Sequence, residues 1–289
     1  MKKIFLLFTI ILISCQANAE EKLNVFVSIL PQKFFAEQIA KDIAKVSVLV
    51  GSDQSPHSYE PLPKQMAEIS RADVFFTVGV PFEKQFIKRI TSLCPNLKIV
   101  ATDEGIIKRH MEEADEHEHK HHSHEHKGNL DPHIWLDPIL AIQQAQTMAN
   151  TFKELKPDKA HEIDNNFNTF KAQTEQITKE ISEKLSPLKG ETMLVFHPAF
   201  GYIAERFGLV QRSVEVDGKE PAPRQLASLI KKCKKENIHV IFVQKQFPVA
   251  AAKTVASSIN GSVVLIDPLA ENMFENLKNI ADSLTNMKK

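Results

Sequence analysis

The stretch PDKAHEIDNNFNTFKAQTEQITKEISEKL, residues 157–185, decides the architecture that we predict for this chain of 289 residues. Its apolar side chains recur at near-helical intervals along one face, at Ile163, Phe167, Phe170, Ile177, Ile181 and Leu185. Pro157 suits the first turn of a helix, and Pro187 and Gly190 end it. At about 1.5 Å per residue such a helix is about 45 Å long. It predicts a stiff connection that braces the chain on both sides of it.

On each side of this helix, four short apolar runs alternate with helical patterns. The runs are 22–29, 45–50, 72–79, 97–102, 191–197, 209–216, 238–244 and 262–267. The helical patterns between them include 31–41, 62–70, 82–91, 223–236 and 247–258. Continuous apolar runs are typical of parallel strands that are buried on both faces. We therefore predict an α/β fold with two Rossmann-like lobes, 20–155 and 188–289, joined by a rigid backbone helix over 156–187.

The first 19 residues have the pattern of an export signal rather than of a folded element. Lys2 and Lys3 precede the apolar run IFLLFTIILIS, and the small residues ANA precede Glu20. This arrangement predicts a secretory signal peptide over 1–19 that is cleaved after Ala19. The segment LISC also resembles a lipoprotein box, so lipidation of Cys15 is the competing interpretation. No other run approaches the roughly 20 apolar residues of a membrane span, and we expect the mature chain not to cross a membrane.

Composition excludes some classes of function. The formal net charge is zero for the whole chain, and removal of the two lysines of the signal peptide leaves a mature chain that is slightly acidic. Nucleic-acid binding, which requires a basic excess, is therefore not expected. Cys94 and Cys233 match no metal-thiolate spacing, and although export would permit a disulfide, two unpaired thiols are at least as compatible with their positions. We assign them no chemistry.

A histidine-rich tract, EHEHKHHSHEH at 116–126, lies within a charged loop at about 112–127. Its histidines are His117, His119, His121, His122, His124 and His126. Imidazole is the commonest protein ligand for zinc, copper and nickel. The tract has no apolar periodicity that could hold a fixed ligand geometry, so we expect a solvated accessory loop that binds metal weakly at several positions.

Four other polar residues lie at or near the ends of apolar elements. His57, His133, His197 and Asp267 follow or precede such elements, and all four adjoin a proline. Ligands of open α/β sheets bind beyond the carboxyl ends of the strands. Two facing lobes would therefore bring these residues together in the cleft. Three imidazoles and one carboxylate form a suitable tetrahedral zinc sphere.

Each of these residues alone has an ordinary structural explanation, since a histidine after a strand more often caps an element or forms a hydrogen bond. Their combination with an exported, metal-binding tract favours a metal site. His110, His161 and His239 lack such settings, and we interpret them as surface or structural residues.

The segments PHSYEP (56–61), DPHIWLDP (131–138), FHPAFGY (196–202) and IDPL (266–269), together with the histidine-rich loop, closely resemble the ZnuA-type zinc-binding proteins of bacterial ABC importers, the cluster A-I or family 9 substrate-binding proteins. The resemblance covers essentially the whole mature chain. It implies two α/β lobes with a metal between them, bound by His57, His133 and His197, with Asp267 able to complete the sphere. Histidine at 197, where manganese-binding relatives usually have glutamate, favours zinc.

Two features of the sequence depart from this family. Some zinc-binding members have an acidic residue directly before the first histidine, but here that position is Pro56, which leaves Asp267 or water as the fourth ligand. Some relatives also have a disulfide in the second lobe, whereas Cys233 is the only cysteine in that part of this sequence.

The implied function is extracytoplasmic capture of Zn²⁺ and its delivery to an ABC permease, with a cytoplasmic ATPase as a further partner. We expect a periplasmic monomer that is not an enzyme and does not bind nucleic acid. A secreted zinc hydrolase or lyase is a competing hypothesis, because three histidines and a water match a catalytic zinc, although no HExxH motif is present. A manganese-binding relative of the same family, and a metal buffer or adhesin that acts through the tract, are two further hypotheses. Neutral imidazole is required for metal binding, so affinity should fall in acid.

Overall fold

The structure is a computed structural model that describes residues 21–111, 130–216, 218–247 and 249–288. The signal segment and the histidine-rich tract lie outside these residues. None of the described helices is long and apolar enough to cross a membrane. Both cysteines that belong to the described residues are free thiols.

The first sheet contains four parallel strands in the order β2-β1-β3-β4. They are β1 (Leu23–Ile29), β2 (Ala44–Val50), β3 (Val74–Thr77) and β4 (Lys98–Ala101). Val25 in β1 lies opposite Val46 in β2 and Val74 in β3. Most side chains of β1 and β3 are buried, as expected for central strands with helices on both faces.

The second sheet repeats this arrangement with the order β6-β5-β7-β8, again all parallel. Its strands are β5 (Thr192–Val195), β6 (Val210–Ser213), β7 (Val240–Gln244) and β8 (Ser262–Ile266). All eight strands therefore occur within or beside the predicted runs. The run 209–216 is shorter as a regular strand because the chain beyond Ser213 pairs irregularly, with Val214 N donating to Val195 O and Glu215 N to Phe196 O.

Helices connect the strands of each sheet. In the first lobe they are α1 (Leu30–Ala40), α2 (Pro63–Ile69), α3 (Glu83–Leu93) and α4 (Pro138–Leu155). In the second lobe they are α6 (Gly201–Phe207), α7 (Pro223–Lys235), α8 (Val249–Ser258) and α9 (Met273–Thr285). Asp137 caps α4 by accepting hydrogen bonds from the backbone N–H groups of Ile139 and Leu140, and Pro138 occupies the first turn.

The predicted long helix is α5 (Ala160–Leu185), preceded by a 3₁₀ turn at Pro157–Lys159 and followed by another at Ser186–Leu188. All six apolar positions that define its periodic face are buried. One face packs against α1 and α4 of the first lobe, and other positions pack against α9 of the second. A single hydrophobic core runs from the first lobe through α5 into the second, with a smaller cluster beside α7 and α8. This shared core confirms the two-lobe α/β architecture; the precise lobe boundaries stay a prediction.

Candidate metal centre

His57 lies in the loop that follows β2. Pro56 is buried, and Ser55 stabilises the turn, since its Oγ accepts from His57 N at 3.3 Å and its carbonyl from Ser58 N at 3.2 Å. Two residues later, the Tyr59 hydroxyl donates to the carbonyl of Leu49 at 2.7 Å. The loop is thus tied back to the end of β2 on one side of His57, and the imidazole is half-buried.

His133 lies between the histidine-rich tract and α4, directly before a 3₁₀ turn at Ile134–Leu136. The residue is 2% exposed. Asp131, itself fully buried, accepts from the backbone N–H of His133 at 3.0 Å, and its Oδ1 lies 2.7 Å from Nδ1 of the same residue. Trp135 fixes the segment against the second lobe, because its indole N–H donates to the carbonyl of Pro268 at 2.7 Å.

His197 follows β5 by two residues and is 5% exposed. Its Nδ1 lies 2.7 Å from Oε2 of Glu215, which follows the neighbouring strand β6. Gln244, the last residue of β7, accepts from His197 N at 3.2 Å and donates to its carbonyl. Phe247 stacks on the imidazole at a centroid distance of 4.8 Å. His197 is therefore held on three sides.

The three imidazoles converge, and each ring presents its Nε2 atom to the others. Nε2 of His57 lies 3.4 Å from Nε2 of His133 and 3.1 Å from Nε2 of His197. A tetrahedral zinc with Zn–N distances near 2.0–2.1 Å would separate its nitrogen ligands by about 3.3 Å. Among the described residues these three histidines form the group able to hold a metal ion. The spacing matches what such an ion requires.

Two carboxylates determine which imidazole nitrogen is available. An ionised carboxylate only accepts hydrogen bonds, so Nδ1 of His133 donates to Asp131 and Nδ1 of His197 donates to Glu215. In the neutral imidazole this leaves Nε2 without a proton, and its lone pair faces the centre of the group. Carboxylates in this position orient the ring and make the free nitrogen a stronger donor to a cation.

Burial favours the neutral imidazole at His57 and His197. Burial, followed by the proximity of the other two imidazoles, lowers the pKa of His57 to about 2. Burial also lowers the pKa of His197, although the hydrogen bond to Glu215 opposes this shift. Burial alone would raise the pKa of Asp131, but its hydrogen bonds to His133 and the charge of Arg109 hold it below its ordinary value. Neutral histidine and ionised carboxylate are the states that bind a divalent cation.

Asp267 lies outside this group. It follows β8, and its Oδ1 accepts from Leu269 N at 2.9 Å and from Gln246 Nε2 at 3.3 Å, while its Oδ2 lies 3.3 Å from Nζ of Lys245. The sheet order gives the reason: β7 separates β8 from β5, and neighbouring strands lie about 4.8 Å apart. Asp267 as a fourth ligand stays a prediction, one that requires its side chain to turn.

The remaining histidines have separate positions. His110 is exposed and pairs as an isolated antiparallel bridge with Leu130, and these two residues flank the tract in the sequence. Nδ1 of His161 lies 3.1 Å from the amide of Asn165, and Nδ1 of His239 lies 3.2 Å from the carbonyl of Ile259. The six tract histidines lie outside the described residues, so their accessory role stays a prediction.

Sequence reasoning missed the residues that orient the ligands. Asp131 lies within the segment DPHIWLDP, and a carboxylate two residues before a ligand histidine was an available signal. Glu215, Gln244 and Phe247 had no such signal, because they meet His197 only through the pairing of β5 with β6 and β7.

Three comparisons with known proteins point to the same family. The family model described as ZnuA, zinc-uptake complex component A periplasmic, matches residues 25–287. The high-affinity zinc uptake system protein ZnuA of Bacillus subtilis is 31% identical over 255 residues, which cover 86% of this chain and 79% of that protein. A crystal structure of ZnuA is similar with a TM-score of 0.85 and 34% identity, over 93% of this chain and 100% of that one.

The zinc-binding lipoprotein AdcA of Streptococcus pneumoniae is 30% identical over 289 residues, covering 96% of this chain but 57% of that protein. This chain therefore spans little more than half the length of AdcA.

Proposed function

The chain belongs to the ZnuA family of zinc-uptake complex components, and we propose that it captures Zn²⁺ outside the cytoplasmic membrane and delivers it to an ABC permease. The names of the relatives supply the cargo and the context of uptake. The zinc ion is the transported substrate, and no chemical change in it is required.

One observation carries this proposal: the Nε2 atoms of His57, His133 and His197 converge at distances of 3.1 Å and 3.4 Å, the spacing of ligands around a tetrahedral ion. Nitrogen ligands at this spacing favour zinc over manganese and calcium, which prefer oxygen and higher coordination numbers. The orienting carboxylates Asp131 and Glu215 support the same assignment. Asp267 or water completes the sphere.

A catalytic zinc is less consistent with this arrangement. A zinc hydrolase needs a general base that can accept a proton from a metal-bound water. The carboxylates beside the site, Asp131 and Glu215, are each engaged by an imidazole N–H at 2.7 Å. The proposed function is therefore binding and transfer, without catalysis. The proposed partners are an ABC permease and the cytoplasmic ATPase that powers it.

The proposed location is extracytoplasmic, with the chain released after cleavage at Ala19 or tethered through a lipidated Cys15. Intact-mass measurement of protein from its native host distinguishes the two. A terminus at Glu20 supports the soluble form, and a lipid-modified Cys15 contradicts it.

Metal analysis of the pure mature protein tests the binding proposal. After dialysis against a mixture of Zn²⁺, Mn²⁺ and Ca²⁺, the wild type should retain one tightly bound zinc. The variant His57→Ala should lose it, while His161→Ala, which replaces a histidine outside the group, should behave as the wild type. Retention of tight zinc by His57→Ala would contradict the proposed site, and a preference for manganese would contradict the proposed cargo.

A further inference from the structure

One residue, Asp131, lies between the side chain of Arg109 and the metal-binding histidine His133. Its guanidinium Nη1 donates to Oδ2 of Asp131 at 3.3 Å, while Oδ1 of the same carboxylate accepts from Nδ1 of His133 at 2.7 Å. The backbones also meet, because Asp131 N donates to the carbonyl of Arg109 at 2.9 Å. Asp131 is fully buried, so these partners replace water entirely for its carboxylate.

The second lobe holds Arg109 from the other side through α6. The Tyr202 hydroxyl accepts from Arg109 N at 3.1 Å and donates to the carbonyl of Asp131 at 2.9 Å. Glu205 accepts from Nε of Arg109 at 2.8 Å. The guanidinium thus spans from the exposed Glu205 to the buried Asp131, and its planar set of donors suits both at once.

Gly201, the first residue of α6, leaves the space that this guanidinium occupies. A Cβ atom at Gly201 would lie 1.6 Å from Nη1 of Arg109 and 2.4 Å from its Cζ. The backbone of Gly201 is helical and would accept any L-residue. The glycine is therefore required for its small size, and the atoms it makes room for are the end of a flexible side chain.

We propose that Arg109 is a positioning residue for the metal ligand His133, acting through Asp131, and that Gly201 keeps open the space it needs. This inference rests on the proposed function of His133 as a zinc ligand. The buried carboxylate is fixed in direction when both of its oxygens are occupied, and the imidazole that donates to it is then fixed in turn. Nε2 of His133 consequently points at the centre of the group before the metal arrives. Replacing a residue that hydrogen-bonds a metal ligand, as Asp131 does, typically changes metal affinity by about 10- to 100-fold, and Arg109 acts on the ligand through that residue.

Two substitutions remove the contact between the guanidinium of Arg109 and the carboxylate of Asp131 in different ways. Arg109→Met deletes the guanidinium and keeps an unbranched apolar chain as far as the position of Nε. Gly201→Ala retains every charge but drives the guanidinium away from Asp131. The matched control is Lys108→Met, because Lys108 is the adjacent cation and pairs with Asp103 at 2.6 Å rather than with Asp131. Circular dichroism and thermal unfolding of the metal-free proteins serve as folding controls.

Zinc affinity should fall about tenfold or more in Arg109→Met and in Gly201→Ala, and remain that of the wild type in Lys108→Met. The visible absorption bands of the Co²⁺-substituted protein should shift in the first two variants, because a less constrained His133 changes the ligand field. The double variant, with both Arg109→Met and Gly201→Ala, should have the same zinc affinity as Arg109→Met alone, since Gly201 acts through Arg109. A purely structural role would lower the unfolding temperature without shifting the Co²⁺ bands.

Wild-type affinity and Co²⁺ bands in a folded Arg109→Met variant would overturn the inference and leave the proposed function intact. An equal loss in Lys108→Met would overturn it as well, by showing a general effect of charge. If the two losses of zinc affinity were additive in the double variant, Gly201 would act independently of Arg109 and would be removed from the proposal. Failure of the wild type to bind zinc would overturn both the inference and the function on which it rests.

Discussion

Nε2 of His57 in the first lobe lies 3.1 Å from Nε2 of His197 in the second, although 140 residues separate them in the chain. Nδ1 of His197 donates to Glu215, so its Nε2 presents a lone pair toward His57. The two lobes therefore meet through nitrogen atoms arranged for a cation rather than through an apolar contact. The packing of α5 against both lobes holds this arrangement in place.

Replacing His197 should change the choice of metal. His197→Glu exchanges a nitrogen ligand for a hard oxygen and places it beside Glu215, whose negative charge would repel the new carboxylate. We expect zinc affinity to fall by roughly two orders of magnitude and the preference for zinc over manganese to narrow. Competition titration with both metals measures this, with His239→Glu as a control outside the group. An unchanged preference in a folded variant would remove His197 from the ligands.

The histidine-rich tract should be dispensable for the tight site. His110 and Leu130, which flank the tract in the sequence, pair as an antiparallel bridge, so a short glycine linker can join the chain across the deletion. Replacing 112–127 by two glycines should remove weak additional equivalents and leave one tightly bound zinc. Isothermal titration separates the two classes of site. Loss of the tight class would make the tract the principal site and would contradict the assignment to the three histidines.

Asp267→Asn tests the fourth ligand. Asp267 must exchange its hydrogen bonds with Leu269 and Gln246 for the metal, so we expect it to contribute less than a histidine. Zinc affinity should fall about tenfold, a smaller loss than in His57→Ala. X-ray absorption should show one oxygen ligand in the wild type, and Asp53→Asn, at an exposed carboxylate in the loop of His57, is the control. Unchanged affinity would assign the fourth position to water.

Glu83 should make folding stability depend on pH. It is buried and accepts hydrogen bonds from Ser28 Oγ, Val78 N and Gly79 N. Burial outweighs these bonds and raises its pKa from 4.5 to about 7. Because the folded-state pKa is raised, the folded protein binds the proton more tightly than the unfolded chain. The contribution of Glu83 to stability is then complete below pH 4.5 and is lost as pH rises through 7.

Urea unfolding of metal-free Glu83→Gln and wild type at about pH 4.5 and about pH 8 measures this effect. The free energy of unfolding of the variant, relative to the wild type, should rise by about 3 kcal/mol between the two values. Glu104→Gln, at an exposed carboxyl in the same lobe, is the matched control. If the difference in the free energy of unfolding between variant and wild type did not change with pH, Glu83 would have an ordinary pKa in the folded protein.

The sequence alone determined the elements of the fold and the three histidines. Strands buried on both faces appear as continuous apolar runs, and α5 appears as a 3.6-residue apolar period, so both can be recognised from local patterns. His57, His133 and His197 could be singled out because each adjoins a proline at or near the end of such an element. The irregular end of β6 could not be predicted, since it depends on pairing with β5.

Only the tertiary structure decided what surrounds those histidines. The order β6-β5-β7-β8 brings Glu215 next to His197 and separates His197 from Asp267. No local pattern in the sequence specifies which strands are neighbours. Arg109 and Gly201 show the same limit, because they meet across the two lobes. Periodicity and turn residues in the local sequence identify candidate ligands. The geometry of a metal site, however, depends on contacts between residues that are distant in the chain.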